Sequence, residues 1–165
     1  MNEINHSSIQ KRHFARGYNL EINDGLIDIK KELKQVKDFV EIEKARFGDK
    51  INLVYEIDDV NIKVPSLIIQ PIVENAIIHG VLPEKGPGTI KLSVKNCEDG
   101  RVKITVEDTG VGISDEIIHK VYSGNMPENK IGLYNVHLRL KLMYGEGIKI
   151  ERLEKGTKME FFIRR

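Results

Sequence analysis

The chain has 165 residues, with 26 Lys and Arg against 25 Asp and Glu for a formal charge of +1. That length fits one domain able to bury a core without disulfides or a structural metal, and the near-neutral balance excludes the broad basic field that drives non-specific nucleic-acid binding. Cys97 is the only cysteine, with no Cys or His at metal-ligand spacing, which predicts a reduced, cytoplasmic setting. Charged residues interrupt every apolar run before it reaches the roughly 18 residues of a membrane span.

In chain order, residues 1–23 carry His6, Ser7, Ser8 and His13 with little hydrophobic periodicity and read as a weakly ordered arm. Over residues 28–47, Ile29, Leu33, Val36, Phe39, Val40 and Ile42 recur at helical spacing, and Gly48 stands where a C-cap would. Residues 24–48 therefore read as a helical unit ahead of a domain spanning 49–165. A single amphipathic helix outside a domain would leave its apolar stripe exposed. It either pairs with a second copy in a four-helix bundle or folds back on its own sheet. Residues 51–57 alternate Ile51, Leu53, Tyr55 and Ile57 with polar partners and predict a strand. Pro65 then opens an apolar segment, residues 66–80, that predicts a buried helix with Pro71 in its early turns.

Residues 82–88 are rich in Pro and Gly and predict a loop leading into a hairpin of strands 89–95 and 101–107. From Asp108 to Asn129 the composition turns to Gly, Ser, Asn and Pro, which predicts a long mobile connection broken by a short helix at 114–121. Residues 131–144 return to helical spacing, and segments 148–153 and 159–163 close the chain as a hairpin over 154–158. Helix, strand, helix, strand, strand, helix, strand, strand is the pattern of an α/β (α+β) chain. It predicts a two-layer α/β sandwich whose mixed, mostly antiparallel sheet is covered on one face by helices.

Three constellations fall at element junctions. Glu74, Asn75 and His79 sit among apolar residues of a buried-looking helix, Asn75 and His79 four apart on one face. Burying an acid, an amide and an imidazole together costs several kcal/mol unless they line a wet pocket or hold a ligand; the alternative is that each is an ordinary surface residue. Asp108-Thr109-Gly110-Val111-Gly112 follows a strand directly. Its acid can accept a hydrogen bond from an exocyclic amine, and its glycines allow a ligand close to the backbone, where a simple tight turn accounts for one glycine only. Gly132 and Leu133 open the next helix, where backbone N–H groups favour phosphate, although a plain cap explains the glycine equally well. Gly156-Thr157, between the last two strands, is a smaller signal that also suits a turn.

In this order the segments resemble the Bergerat-fold ATPase superfamily, which includes histidine kinases, gyrase-type topoisomerases, Hsp90 chaperones and mismatch-repair proteins. Glu74-Asn75 with His79 looks like its N box, Asp108 to Gly112 its first glycine box, Ile131-Gly132-Leu133 its second, and Gly156-Thr157 its closing motif. The likeness spans about residues 51–165. The stretches 65–80, 132–140 and 40–47 are similar to the LytS-like branch of sensor histidine kinases.

The resemblance implies ATP and Mg²⁺ as ligands. Asn75 would coordinate the magnesium ion, Glu74 would orient or deprotonate the attacking group, and His79 would reach the phosphates. Asp108 would accept the adenine amino group, with Gly110 and Gly112 shaping the base pocket and Thr157 supporting it. Gly132 and Leu133 would begin the helix facing the phosphates, and residues 114–130 would form the lid. Many relatives carry three glycines in the second box where Glu128, Lys130 and Gly132 stand here; Lys130 could instead bring a positive charge to the phosphates. The implied partners are a phosphoacceptor helix of the same or a partner subunit, a response regulator and a second copy in a homodimer, with no nucleic acid. The implied parent is a membrane protein with this region in the cytoplasm. The phosphoacceptor motif of relatives is not found in these residues, and His13 and His6 read as solvated arm residues.

Overall fold

The computed structural model describes residues 25–126 and 131–165. His6, His13, Glu128 and Lys130, and the expectations attached to them, lie outside the described residues. The chain runs β1 (Leu26–Asp28), α1 (Ile29–Phe47), a 3₁₀ turn (Gly48–Lys50), β2 (Ile51–Ile57), β3 (Lys63–Pro65), α2 (Gln70–Asn75), a π-helical turn (Ala76–Val81), β4 (Gly88–Asn96), β5 (Val102–Asp108), α3 (Asp115–Ser123), α4 (Ile131–Tyr144), β6 (Lys149–Arg152) and β7 (Thr157–Ile163).

Five strands form one sheet in the order β2-β4-β5-β7-β6. Only β2 and β4 pair in parallel, because the chain between them crosses over through β3 and α2; the other neighbours are antiparallel. Alternation along the strands explains the layering. Ile90, Leu92 and Val94 of β4 and Met159, Phe161 and Ile163 of β7 are buried, while the residues between them are partly exposed. The helices therefore cover one face. The other face carries ion pairs such as Lys91 to Glu56 at 2.9 Å and Lys95 to Asp58 at 3.3 Å. This is the mixed sandwich that the element order predicts.

Helix α1 starts where the Asp28 carboxylate accepts a hydrogen bond from the Lys30 N–H and ends at Gly48. Ile29, Leu33, Val36 and Val40 are buried in the common core beside Ile72, Val73 and Ile77. Of the two expectations for this helix, the described chain displays folding back on its own domain. Ile42, counted in the apolar stripe, is instead 62% exposed, one position round from the buried face.

Two departures bear on the site. The helix expected over 66–80 is not continuous. Residues 66–69 form a turn in which Leu67 has φ +54°, α2 begins at Gln70 with Pro71 in its first turn, and the helix widens after Asn75 into a π turn. The second is a two-stranded ribbon, β1 against β3, antiparallel with Ile27 opposite Val64, that no local pattern announced. Three-residue strands are too short for alternation to show. The short helix expected over 114–121 runs as α3, with the Ser114 hydroxyl accepting from the Ile117 N–H at its N-cap.

Candidate functional site

Segments far apart in sequence meet at one cleft. Asn75 ends α2, His79 and Gly80 lie in the π turn, Asp108 ends β5, Gly112 and Ile113 belong to the loop after it, and Thr157 begins β7. Together they enclose about 230 Å³, part of it open solvent.

Backbone hydrogen bonds tie these pieces together. Asp108 and Thr157 are register partners across β5 and β7. The Thr109 N–H donates to the Thr89 carbonyl at 3.1 Å, and the Thr89 N–H returns a bond to the Thr109 hydroxyl at 3.0 Å. Val111 N–H donates to the Gly80 carbonyl at 3.0 Å, joining the glycine loop to the π turn, and Ile113 N–H donates to Thr157 Oγ1 at 2.9 Å. The segments approach so closely that side chains cannot fit. A Cβ on Gly110 would sit 2.0 Å from the Gly80 carbonyl carbon, and one on Gly156 would sit 1.7 Å from the Asp108 carbonyl oxygen. Gly156 also has φ +92°, a conformation L side chains avoid. The π turn, in which Leu82 N–H reaches back to the Ile77 carbonyl, presents His79 and Gly80 to the cleft.

Asp108 sits at the base of this arrangement, only 3% exposed. Burial pushes its carboxyl up to about 6; the N–H groups of Gly110 and Thr157 oppose the rise, and the neighbouring Glu107 charge adds to it. Its Oδ1 accepts from Gly110 N–H at 2.8 Å. A buried, incompletely compensated carboxylate lining a cleft is an acceptor suited to a ligand N–H donor.

The remaining expected site residues fall elsewhere. Glu74 is partly buried, accepts from Gln70 Nε2 at 2.9 Å and is not in the cleft lining. Gly132 stands in the first turn of α4, and Leu133 beside it is a core residue, 3% exposed. Gly80 and Ile113 were missed as lining residues. Both stand at the ends of motif segments without an expected role, and only the approach of the β5 loop gives them a site. Among the described residues no group of three His, Cys, Asp or Glu side chains could hold a metal ion alone. Magnesium bound through one or two protein oxygens, with phosphate and water completing its shell, needs no such group, and the Asn75 amide in the cleft is a donor of that kind.

A sheet covered on one face by helices, with a buried strand-end carboxylate facing an Asn-bearing helix across a cleft, defines a nucleotide-binding α/β sandwich. Residues 61–165 match the family described as histidine kinase-, DNA gyrase B-, and HSP90-like ATPase, and the chain belongs to that family. As an ATPase domain of this kind it binds ATP. It is 56% identical over 148 residues to the sensor histidine kinase YpdA of Escherichia coli (strain K12), covering 88% of this chain and 26% of that protein. It is 30% identical to the sensor protein LytS of Oceanobacillus iheyensis, covering 96% of this chain and 28% of that one. The chain thus spans about a quarter of the length of these relatives. Its fold is similar to the catalytic domain of histidine kinase ThkA, with a TM-score of 0.65 at 20% identity over 84% of this chain and 94% of that one. ThkA has also been solved in complex with the response regulator protein TrrA, where the likeness has a TM-score of 0.64 at 20% identity, over 95% of this chain and 48% of that one. Among the described residues no helix is long and apolar enough to cross a membrane.

Proposed function

We propose that this chain is the catalytic module of a two-component sensor histidine kinase. It binds Mg²⁺·ATP and passes the γ-phosphoryl to a histidine on a phosphoacceptor helix outside the described residues, from which a response regulator receives it. The observation that carries this reading is the convergence of Asn75 and His79, Asp108 and Gly112, and Thr157 on one cleft, although they are up to 82 positions apart in sequence. Asp108 accepts the adenine amino group at the buried end, Gly110 and Gly112 keep the pocket wall thin, and Thr157 holds the loop through the Ile113 N–H. Asn75 faces the phosphate side and supplies an oxygen to the metal, His79 contacts the phosphates, and Glu74 orients the acceptor imidazole. Gly132 and Leu133 set the start of α4 towards the phosphates, with Lys130 adding charge. A bound magnesium ion would neutralise charge on the phosphate oxygens. What the chain's own groups do is orient the nucleotide and exclude water from its base.

Calorimetric titration tests the reading: adenine nucleotide should bind in a Mg²⁺-dependent manner, and Asn75→Ala should remove that dependence. Unchanged ATP affinity in Asn75→Ala would rule the assignment out. A second reading, a nucleotide-binding regulatory module without turnover, is favoured by Glu128 and Lys130 standing where glycines close on the phosphates in many relatives. Mixing the chain with a phosphoacceptor helix domain and labelled ATP separates the two, since only the kinase transfers acid-labile label to histidine. The cytoplasmic placement, the membrane-bound parent and its homodimer belong to the same proposal.

A further inference from the structure

One cluster of buried polar groups lies outside the cleft. Glu32 of α1 is fully buried, and its carboxylate accepts three backbone hydrogen bonds, from Leu67 N–H at 3.0 Å, Ile68 N–H at 2.8 Å and Ile69 N–H at 2.9 Å. The three N–H groups belong to the turn just ahead of α2, which begins at Gln70 with no side-chain cap from Ile69; of the three, only that of Ile69 is among the donors a helix start leaves without an intrahelical partner. A carboxylate from another helix, 35 to 37 positions earlier, pins that turn.

The same turn is gripped from two more sides. Arg139 of α4 donates from Nη1 to the Ser66 carbonyl at 2.9 Å, and Ser66 N–H donates to the Gly25 carbonyl at 2.6 Å. Leu67, between these contacts, is held at φ +54° with its side chain half exposed. A non-glycine residue stays in that region only where its surroundings over-determine it. Residues 66–69 are thus where α1, α4 and the start of α2 are tied together. Helix α2 is six residues long, so what fixes its start also fixes Asn75 at its last position, about 7.5 Å from Gln70 along the axis.

We propose that Glu32 is a positioning residue for the phosphate side of the cleft. By accepting the three N–H groups ahead of α2 it sets the axial position of the helix carrying Glu74 and Asn75, and so couples α1 to nucleotide binding. The inference rests on the reading of Asn75 as the metal- and phosphate-side group. Asp108 and Thr157, on the sheet, lie outside its reach. Loosening the turn therefore weakens what the phosphates contribute and leaves the base end intact.

The test is calorimetric titration of the chain with Mg²⁺·ADP and, separately, with adenosine. Glu32→Gln keeps the size of the side chain, but it carries only one acceptor oxygen for three donors. The expected result is an affinity for Mg²⁺·ADP lower by about tenfold or more, with adenosine unchanged within about twofold. Val40→Ala, a packing change on the buried face of α1, should lower Tm while leaving both affinities alone. Loss of both ligands in proportion, wild-type binding of both, or the same split in Val40→Ala would each overturn the proposal. Asn75→Ala keeps the two claims apart: if it binds Mg²⁺·ADP as wild type does, the reading of the cleft fails and the inference falls with it. If wild type and Asn75→Ala differ while Glu32→Gln matches wild type, the inference alone fails. Should Glu32→Gln not fold, Arg139→Gln releases the turn from its other side and must give the same split; wild-type binding there overturns the proposal.

Discussion

Glu32 and Asp108 are both buried carboxylates, and their surroundings treat them differently. Glu32 faces the start of a helix and receives three backbone N–H groups within 3.0 Å. Asp108 sits at a strand end, has only the N–H groups of Gly110 and Thr157 to oppose the burial that pushes its carboxyl up to about 6, and lines the cleft. The first arrangement satisfies a buried carboxyl group by structure alone. The second leaves part of that compensation to a ligand, which is how a binding group differs from a structural one.

Breaking the structural member should have the largest effect. Glu32→Ala leaves two buried N–H groups and a partly buried one without an acceptor and should destabilise the fold by about 4 kcal/mol, read from urea denaturation; a loss below about 1 kcal/mol would mean that water replaces the carboxylate. Next is the strand end that holds Asp108. Gly156→Ala places a methyl group against the Asp108 carbonyl oxygen at positive φ and should cost about 3 kcal/mol, with adenine binding impaired in the protein that still folds.

Asp108→Asn should move stability the other way. Its carboxyl rises from an ordinary 3.8 to about 6 on folding, so the folded state binds protons more tightly and stability falls as pH climbs through that window. The full penalty, at most about 3 kcal/mol, applies above pH 6. The variant should therefore be more stable than wild type at pH 8, equal to it near pH 4, and poor at binding adenine nucleotide. Equal Tm values across pH 4 to 8 would contradict this. In the wild type, nucleotide affinity should weaken as pH drops below about 6, approaching about tenfold per pH unit, and a flat profile from pH 5 to 8 would remove Asp108 from the contact. The smallest change is Leu67→Gly, which relieves the positive φ without touching the Glu32 bonds. It should stabilise the chain by about 1 kcal/mol, less whatever the half-exposed leucine contributes, as thermal unfolding would measure.

Most elements were legible locally. Residues 131–144 were read as a helix and form one over the same span, and the hairpin residues 89–95 and 101–107 differ from the strands only at their ends. Period and punctuation suffice for such segments because their hydrogen bonds are local or between neighbours in sequence. Asp108, Gly112, Asn75, His79 and Thr157 were picked from motif resemblance and do share a cleft, whereas Glu74, Gly110, Gly132 and Leu133 are not in its lining. Glu32 left no mark at all. In sequence it is one of many charges on an amphipathic helix, and nothing in residues 28–47 distinguishes it from the exposed Glu41.

What the sequence by itself determined is the longer elements, the sandwich architecture and the family, since periodicity and short glycine motifs are written within windows of a few residues. Tertiary structure decided where 66–80 breaks, that its end widens into a π turn, which side of α1 is buried, and that a carboxylate from one helix pins the turn ahead of another. Those outcomes depend on contacts between groups more than 30 positions apart, and the energy of such a contact exists only once both ends have been brought together.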